Sequence, residues 1–189
     1  MSPRTVLVLG GVRAGKSAFA VARAKEIGGR VVFVATAEAG DAEMATRIAR
    51  HRAERPPSWR TVEVPLALPS TIRALRGEAD VAVADCLNFW VANLLGKRPE
   101  LSDSDLLAEV ADLEAAATRP GYSLILVSNE VGWGIHPDTT LGRRFRDALG
   151  FVNQAVARAA DDVVLMVAGC PMFVKSAGAV APPGMGRLA

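Results

Sequence analysis

The apolar run Val6-Leu7-Val8-Leu9 breaks into Gly10-Gly11-Val12-Arg13-Ala14-Gly15-Lys16-Ser17, and the chain then continues as a helical pattern through Ile27. Every fixed position of the phosphate-binding pattern G-x-x-x-x-G-K-[ST] is filled, in the order strand, glycine loop, helix that the pattern requires. No other feature limits the fold so strongly. The glycines let the backbone curl until successive N–H groups converge, the helix N-terminus adds its positive end, and Lys16 brings a point charge. With the Ser17 hydroxyl available to magnesium, the loop calls for a nucleoside triphosphate.

Strand and helix patterns alternate along the rest of the chain. Thr5–Leu9, Arg30–Ala35, Thr61–Val64, Val81–Asp85, Leu124–Ser128 and Asp162–Val167 read as strands, most of them without polar alternation, as in a sheet buried on both faces. Helices are predicted over Lys16–Ile27, Asp41–Arg55, Pro69–Leu75, Asn88–Leu95, from a Ser102 cap to before Pro120, and over Thr140–Ala160. Such an order implies an α/β fold with an open, largely parallel sheet and helices on both faces. Asp162–Val167 reads as the last strand. Pro171, Pro182, Pro183 and several glycines predict no regular structure past about Ser176, so residues 1–175 read as one nucleotide-binding catalytic domain and 176–189 as an irregular tail.

Several polar residues fall where ligands of such sheets bind, at carboxyl ends of strands. Asp85 ends the run Val81-Ala82-Val83-Ala84, the form of the acid that orients magnesium beside a P-loop hydroxyl. Thr36-Ala37-Glu38 follows one strand, and Asn129-Glu130-Val131-Gly132-Trp133-Gly134 follows another. On the helix Asp41–Arg55, Met44, Ile48 and His51 share a face, and Arg47, His51 and Arg55 form a row spaced by four residues. His51 is then either the edge of a packed stripe or a neutral nucleophile between phosphate-binding cations. Glu63 reads as a solvated strand carboxylate, His136 and Trp133 as loop residues, and Arg143, Arg144 and Arg146 as a solvated helix face. The apolar stretch Phe89–Leu95 suits burial against the sheet or against a partner subunit.

Composition narrows the class. With 189 residues, half of them hydrophobic and 22% charged, the chain can bury a full core. A formal net charge of +2, with no basic block or aromatic ladder, argues against nucleic acid as the main partner. Cys86 and Cys170 belong to no metal-ligand spacing, no run is long enough to span a bilayer, and no signal-peptide pattern precedes the glycine loop, so a cytoplasmic location is expected.

Taken together, the glycine loop, Ala35-Thr36-Ala37, Asp41-Ala42-Glu43-Met44 through Arg50-His51-Arg52, Pro56 to Arg60, Asn129 to Gly134, and Phe145-Arg146-Asp147 through Val152-Asn153-Gln154 resemble the bifunctional adenosylcobinamide kinase and adenosylcobinamide-phosphate guanylyltransferase family of cobalamin biosynthesis. The resemblance implies a RecA-like P-loop domain. It implies phosphorylation of the aminopropanol hydroxyl of adenosylcobinamide by ATP or GTP, then transfer of GMP from GTP to adenosylcobinamide phosphate, giving adenosylcobinamide-GDP. In the family the second step runs through a guanylylated histidine, which falls on His51, with Lys16 as the other catalytic residue. Nucleotide contacts carry over to Gly10 through Ser17, to Thr36, Ala37 and Glu38, to Arg52, Ala53, Glu54 and Arg55, to Glu63 and to Asp85, with Mg2+ held by Ser17 and Asp85. The family also suggests a homo-oligomer, a trimer, for which Phe89–Leu95 offers a contact. The competing reading is a RecA-type regulatory or motor NTPase, which accounts for Lys16, Ser17 and Asp85 but gives no reason for the His51 helix or the loop at Asn129.

Overall fold

The computed structural model describes residues 2–53 and 55–176. Its strands are β1 (Thr5–Gly10), β2 (Val31–Ala35), β3 (Arg60–Glu63), β4 (Val81–Asp85), β5 (Ser123–Val127), β6 (Asp162–Val167) and β7 (Cys170–Lys175). The helices are α1 (Lys16–Ile27), α2 (Ala42–Ala53), α3 (Leu68–Ala74), α4 (Leu87–Lys97), α5 (Asp103–Ala117) and α6 (Thr140–Ala159). All seven strands form one sheet in the order β3-β2-β4-β5-β1-β6-β7. Six run parallel, and β7 pairs antiparallel with β6.

Successive side chains of a strand point to opposite faces, so the apolar central strands feed two cores. Leu7, Ala82, Ala84, Leu124 and Leu126 pack with α3 to α6, while Val6, Val8, Val83, Ile125 and Val127 pack with Ala20 and Ala24 of α1. Ala20 and Ala24 are fully buried, and their small side chains let α1 lie close to the sheet. Helices therefore cover both faces, as the alternating order predicts. The start of α5 carries a complete capping box, in which Ser102 accepts from the Asp105 amide and the Asp105 carboxylate accepts from that of Ser102.

Two expectations are corrected here. Asp162–Val167 is not the last strand: the chain turns at Ala168 and Gly169 (φ 50° and 83°) and returns along the sheet edge as β7. Both residues of that two-residue turn take left-handed angles, the hairpin geometry usually signalled by Asn-Gly. Secondly, of the two alternatives for residues 89–95, burial against the sheet holds and it is the subunit contact that is corrected, because the apolar surface goes into the core. Trp90, Val91, Leu94 and Leu95 are buried, the Trp90 indole donates to the Leu66 carbonyl at 2.8 Å, and Phe89 alone of these apolar side chains is half-buried. The stretch therefore offers little free surface as a subunit contact. Among the described residues no helix is long and apolar enough to cross a membrane. The expected irregular tail lies, from residue 177 onward, outside the described residues.

Candidate active site

Parallel pairing lines up along one edge of the sheet the strand ends that carry the glycine loop, Thr36, Glu63, Asp85 and the loop at Asn129, whereas the His51 helix belongs to no strand and is not placed by the pairing. The register aligns Glu63 with Ala35, Ala35 with Asp85, Asp85 with Val127 and Val127 with Val8 in one row across β3, β2, β4, β5 and β1. At about 4.8 Å per strand, Glu63 stands roughly 19 Å from β1 and Asp85 roughly 10 Å. The row is thus about as long as a nucleotide laid across it.

The glycine loop at the end of β1 is fixed by contacts from two other loops. The Glu130 N–H donates to the Gly10 carbonyl at 3.2 Å, and the Gly169 N–H donates to the Ala14 carbonyl at 3.1 Å. Gly10 has φ 149°, and a Cβ there would stand 2.5 Å from the Met166 carbonyl oxygen, so no larger residue fits this close approach. Arg13 takes a left-handed conformation (φ 57°), a strained angle of the kind that clusters in ligand clamps. Lys16 opens α1, is buried, and donates from Nζ to the Gly11 carbonyl at 2.6 Å, which folds its ammonium back over the loop. Val12, by contrast, is 76% exposed.

Asp85, half-exposed, ends β4. Ser17 lies in the first turn of α1, which packs against β4 on the same side of the sheet as Val83 and Cys86. A hydroxyl and a carboxylate are hard oxygen donors, the set that magnesium takes when phosphates and water complete its shell. The residues present therefore fit this ion.

Thr36 is fully buried and its polar atoms are engaged within the protein. Its hydroxyl donates to the Cys86 carbonyl at 2.7 Å and accepts from the Cys86 N–H at 2.9 Å, its own N–H donates to the Asp85 carbonyl at 3.4 Å, and its carbonyl accepts from Asn93 Nδ2 at 2.8 Å. This side chain ties the end of β2 to the end of β4. Ala37 is half-buried beside it, and Glu38 is exposed and ion-paired with Lys97 of α4. Glu63 is exposed at the end of β3.

Asn153 of α6 anchors the loop after β5. It accepts from the Ser128 hydroxyl at 2.6 Å and donates to the Asn129 carbonyl at 3.0 Å. Sequence reasoning gave Asn153 no role. The available signal was an amide beside the apolar stripe of Leu149, Val152 and Val156, because a buried amide needs partners. Further along the loop the three arginines are not a solvated face. All three are half-buried: Arg143 donates to the Pro137 and Asp138 carbonyls at 3.0 Å, Arg144 bonds the Leu101 carbonyl, and Arg146 bonds His136 Nδ1 at 3.1 Å. Helical periodicity registers only the neighbours on α6 itself, Thr140 for Arg143 and Asp147 for Arg146, and not the partners on other segments, the carbonyls of residues 101, 137 and 138, the His136 ring and the Asp103 carboxylate.

His51 lies in the last turn of α2. Met44, Ile48 and His51 are the half-buried side chains among those described on this helix, and the others described are exposed. The predicted shared face is therefore real, but the arginine row does not continue to Arg55. The helix ends at Ala53, and Arg55 beyond it stacks its guanidinium 3.3 Å from the centroid of the Phe33 ring on β2. A cation over an aromatic face gains about 1 kcal/mol, which draws Arg55 toward the sheet. Arg52 and Ala53 are exposed, whereas Glu54 and the Arg47 side chain lie outside the described residues.

The model of the cobinamide kinase / cobinamide phosphate guanyltransferase family matches residues 6–174. The chain is 45% identical over 170 residues to the bifunctional adenosylcobalamin biosynthesis protein CobP of Pseudomonas aeruginosa, covering 89% of this chain and 96% of that protein. It is 40% identical over 180 residues to the bifunctional adenosylcobalamin biosynthesis protein CobU of Escherichia coli, covering 90% and 99%. Among solved structures, a prototypical ATPase from a type III secretion system aligns with a TM-score of 0.54 at 12% identity, over 87% of this chain and 51% of its own, which is a likeness of fold. That likeness agrees with an α/β P-loop NTPase-like fold. The family match spans the loop at Asn129 and the His51 helix, the two segments a motor NTPase leaves unexplained, and so the chain belongs to the family of cobinamide kinases and cobinamide phosphate guanyltransferases.

Proposed function

We propose that the carboxyl edge of the sheet carries out both transfers of this family in sequence. The γ-phosphoryl group of ATP or GTP goes to the aminopropanol hydroxyl of adenosylcobinamide, and GMP from GTP then goes to the resulting phosphate through His51. The observation that carries this reading is a division of the edge. A phosphate cradle (Gly10–Ser17) stands at β1, and a nearly bare helix presenting a half-buried histidine follows β2.

The roles follow from placement. The N–H groups of Gly10-Gly11-Val12-Arg13-Ala14-Gly15 and the Lys16 ammonium bind triphosphate oxygens and offset charge that builds on them during transfer. Ser17 and Asp85 are the residues that would hold Mg2+, which supplies charge neutralisation at the phosphates. Neutral His51 attacks the α-phosphorus of GTP: an N–P bond forms, the bond from Pα to the bridging oxygen breaks, and pyrophosphate leaves. A phosphate oxygen of adenosylcobinamide phosphate then attacks the same phosphorus, the N–P bond breaks, and the imidazole is regenerated. Glu63, at the far end of the row, offers a carboxylate to the N1–H and N2–H donors of guanine, donors that adenine does not present together. Thr36 acts by joining the Asp85 and Glu38 segments. Arg52, Ala53, Glu54 and Arg55 follow the nucleophile as nucleotide contacts, the two arginines supplying positive charge for the phosphates.

The RecA-like variant of the fold is the reading that best suits β5 standing between the P-loop strand and the Asp85 strand. We read residues 1–175 as one catalytic domain. The family's homo-oligomeric habit and a reducing cytoplasm, where Cys86 and Cys170 stay free, complete the proposal.

Incubation with GTP labelled at the α-phosphate tests it. The expected result is acid-labile, alkali-stable label on the protein that chases onto adenosylcobinamide phosphate and is absent from His51→Ala. Undiminished guanylylation of His51→Ala would overturn the covalent role, and steady γ-phosphate release without protein label would restore the NTPase reading.

A further inference from the structure

Trp133 and Ile135 are 80% and 93% exposed. They flank Gly134 on the loop after β5, and the base of that loop is joined to the phosphate cradle by the Glu130 N–H on the Gly10 carbonyl at 3.2 Å. Val12, 76% exposed, stands on the cradle itself. Three large or branched apolar side chains thus rise from two hydrogen-bonded loops at one edge of the sheet. Single exposed apolar residues are ordinary, but a group of them bordering a polar site marks a binding surface.

The loop is held at both ends. Asn153 fixes Ser128 and Asn129, Glu130 Oε1 accepts from the Gly132 N–H at 2.8 Å, and beyond the tip Arg143 and Arg146 grip Pro137, Asp138 and His136. Anchoring on both sides restrains the loop while the Trp133 indole faces solvent, which lowers the entropy cost of later contacts. The nucleotide does not account for this surface. Its phosphates are polar, and its base, in the reading above, lies along the row toward Glu63. What must reach the terminal phosphate from solvent is the acceptor. Cobinamide is a corrin macrocycle with broad, methyl-bearing faces and amides at its rim, and such a face suits an indole with aliphatic neighbours.

We propose that Trp133 and Ile135, with Val12 on the adjoining loop, form the platform that receives the corrin face of the acceptor and sets its hydroxyl at the phosphate cradle. The platform rests on the functional reading above for the identity of the acceptor. Trp133 supplies most of the contact area and acts in binding, not in the chemical step.

The test is equilibrium dialysis of adenosylcobinamide, followed by its visible absorbance, against the full chain and against Trp133→Ala, Trp133→Phe and Ile135→Ser, with no nucleotide present. Loss of a well-packed aromatic anchor predicts that Trp133→Ala weakens binding about 30-fold, that Trp133→Phe restores most of it, and that in turnover KM for the corrinoid rises far more than kcat falls. Unchanged corrinoid affinity in Trp133→Ala and Ile135→Ser would overturn the platform. So would a drop in solution mass of these variants with affinity intact, since the surface would then be a contact between subunits. Because dialysis needs no turnover, failure of the platform stays distinct from failure of the functional reading, which turnover by the unaltered chain decides.

Discussion

Ser128 and Asn153 meet through a 2.6 Å hydrogen bond, a hydroxyl on the loop after β5 donating to an amide oxygen on α6, with both residues buried. The same amide reaches the Asn129 carbonyl, so one side chain sets where that loop leaves the sheet. Replacing it with Asn153→Leu strands a buried hydroxyl and a carbonyl. Leaving a buried polar group unpaired costs about 1–3 kcal/mol, and in a chain of this size each kcal/mol lowers Tm by roughly 2–4 °C. Thermal unfolding followed by circular dichroism should show a fall of at least about 4 °C. An unchanged Tm would mean that the pair does not hold the loop.

The narrow seat of α2 predicts movement. Met44, Ile48 and His51 are the half-buried described side chains of this helix, so little apolar area ties it to the body, and segments with few buried contacts open at low cost. Attack on the α-phosphate requires His51 to approach a nucleotide held at β1. GTP is therefore expected to slow amide hydrogen exchange across α2 in the native chain but not in Lys16→Ala, which lacks the charge that holds the triphosphate. Identical α2 exchange with and without GTP, at concentrations where the nucleotide is bound, would argue for a fixed helix.

At the opposite edge of the sheet, Asp80 accepts from the Arg30 guanidinium and from the Arg30 backbone N–H, and these bonds hold its carboxyl at about 2, below the usual 3.8. The folded value is the lower one, so the pair's contribution to stability is complete above 3.8 and disappears as pH falls through about 2. Urea midpoints of the native chain and Asp80→Asn should differ at neutral pH and converge over that interval. The pair is exposed to solvent, so salt should shrink the gap. A difference that stays constant down to pH 2 would rule out this linkage.

Local pattern made much of this legible. Lys16–Ile27 is a helix with the predicted bounds, and the stripe of Met44, Ile48 and His51 emerged from spacing alone because a helix turning over a body buries one narrow face. Features that depend on distant chain were not legible. β7 was hidden because Pro171 reads as loop punctuation and because Ala168 occupies a left-handed turn position usually held by Gly or Asn. Arg55 left its expected row because Phe33, on another element, offers its ring face. Arg143, Arg144 and Arg146 look like a wet surface until loops from residues 101 and 136–138 fold over them.

The supports of the glycine loop also bear on when it can become competent during synthesis. Residues 10–17 leave the ribosome before residues 130 and 169, yet the N–H groups that lock the Gly10 and Ala14 carbonyls belong to Glu130 and to Gly169 in the β6–β7 turn. Local sequence can start the bend, but closing it depends on contacts of very high sequence separation, the slowest kind to form. A nascent chain halted before β6 would carry an intact motif without the Gly169 brace, so full nucleotide binding should follow formation of the β6–β7 turn.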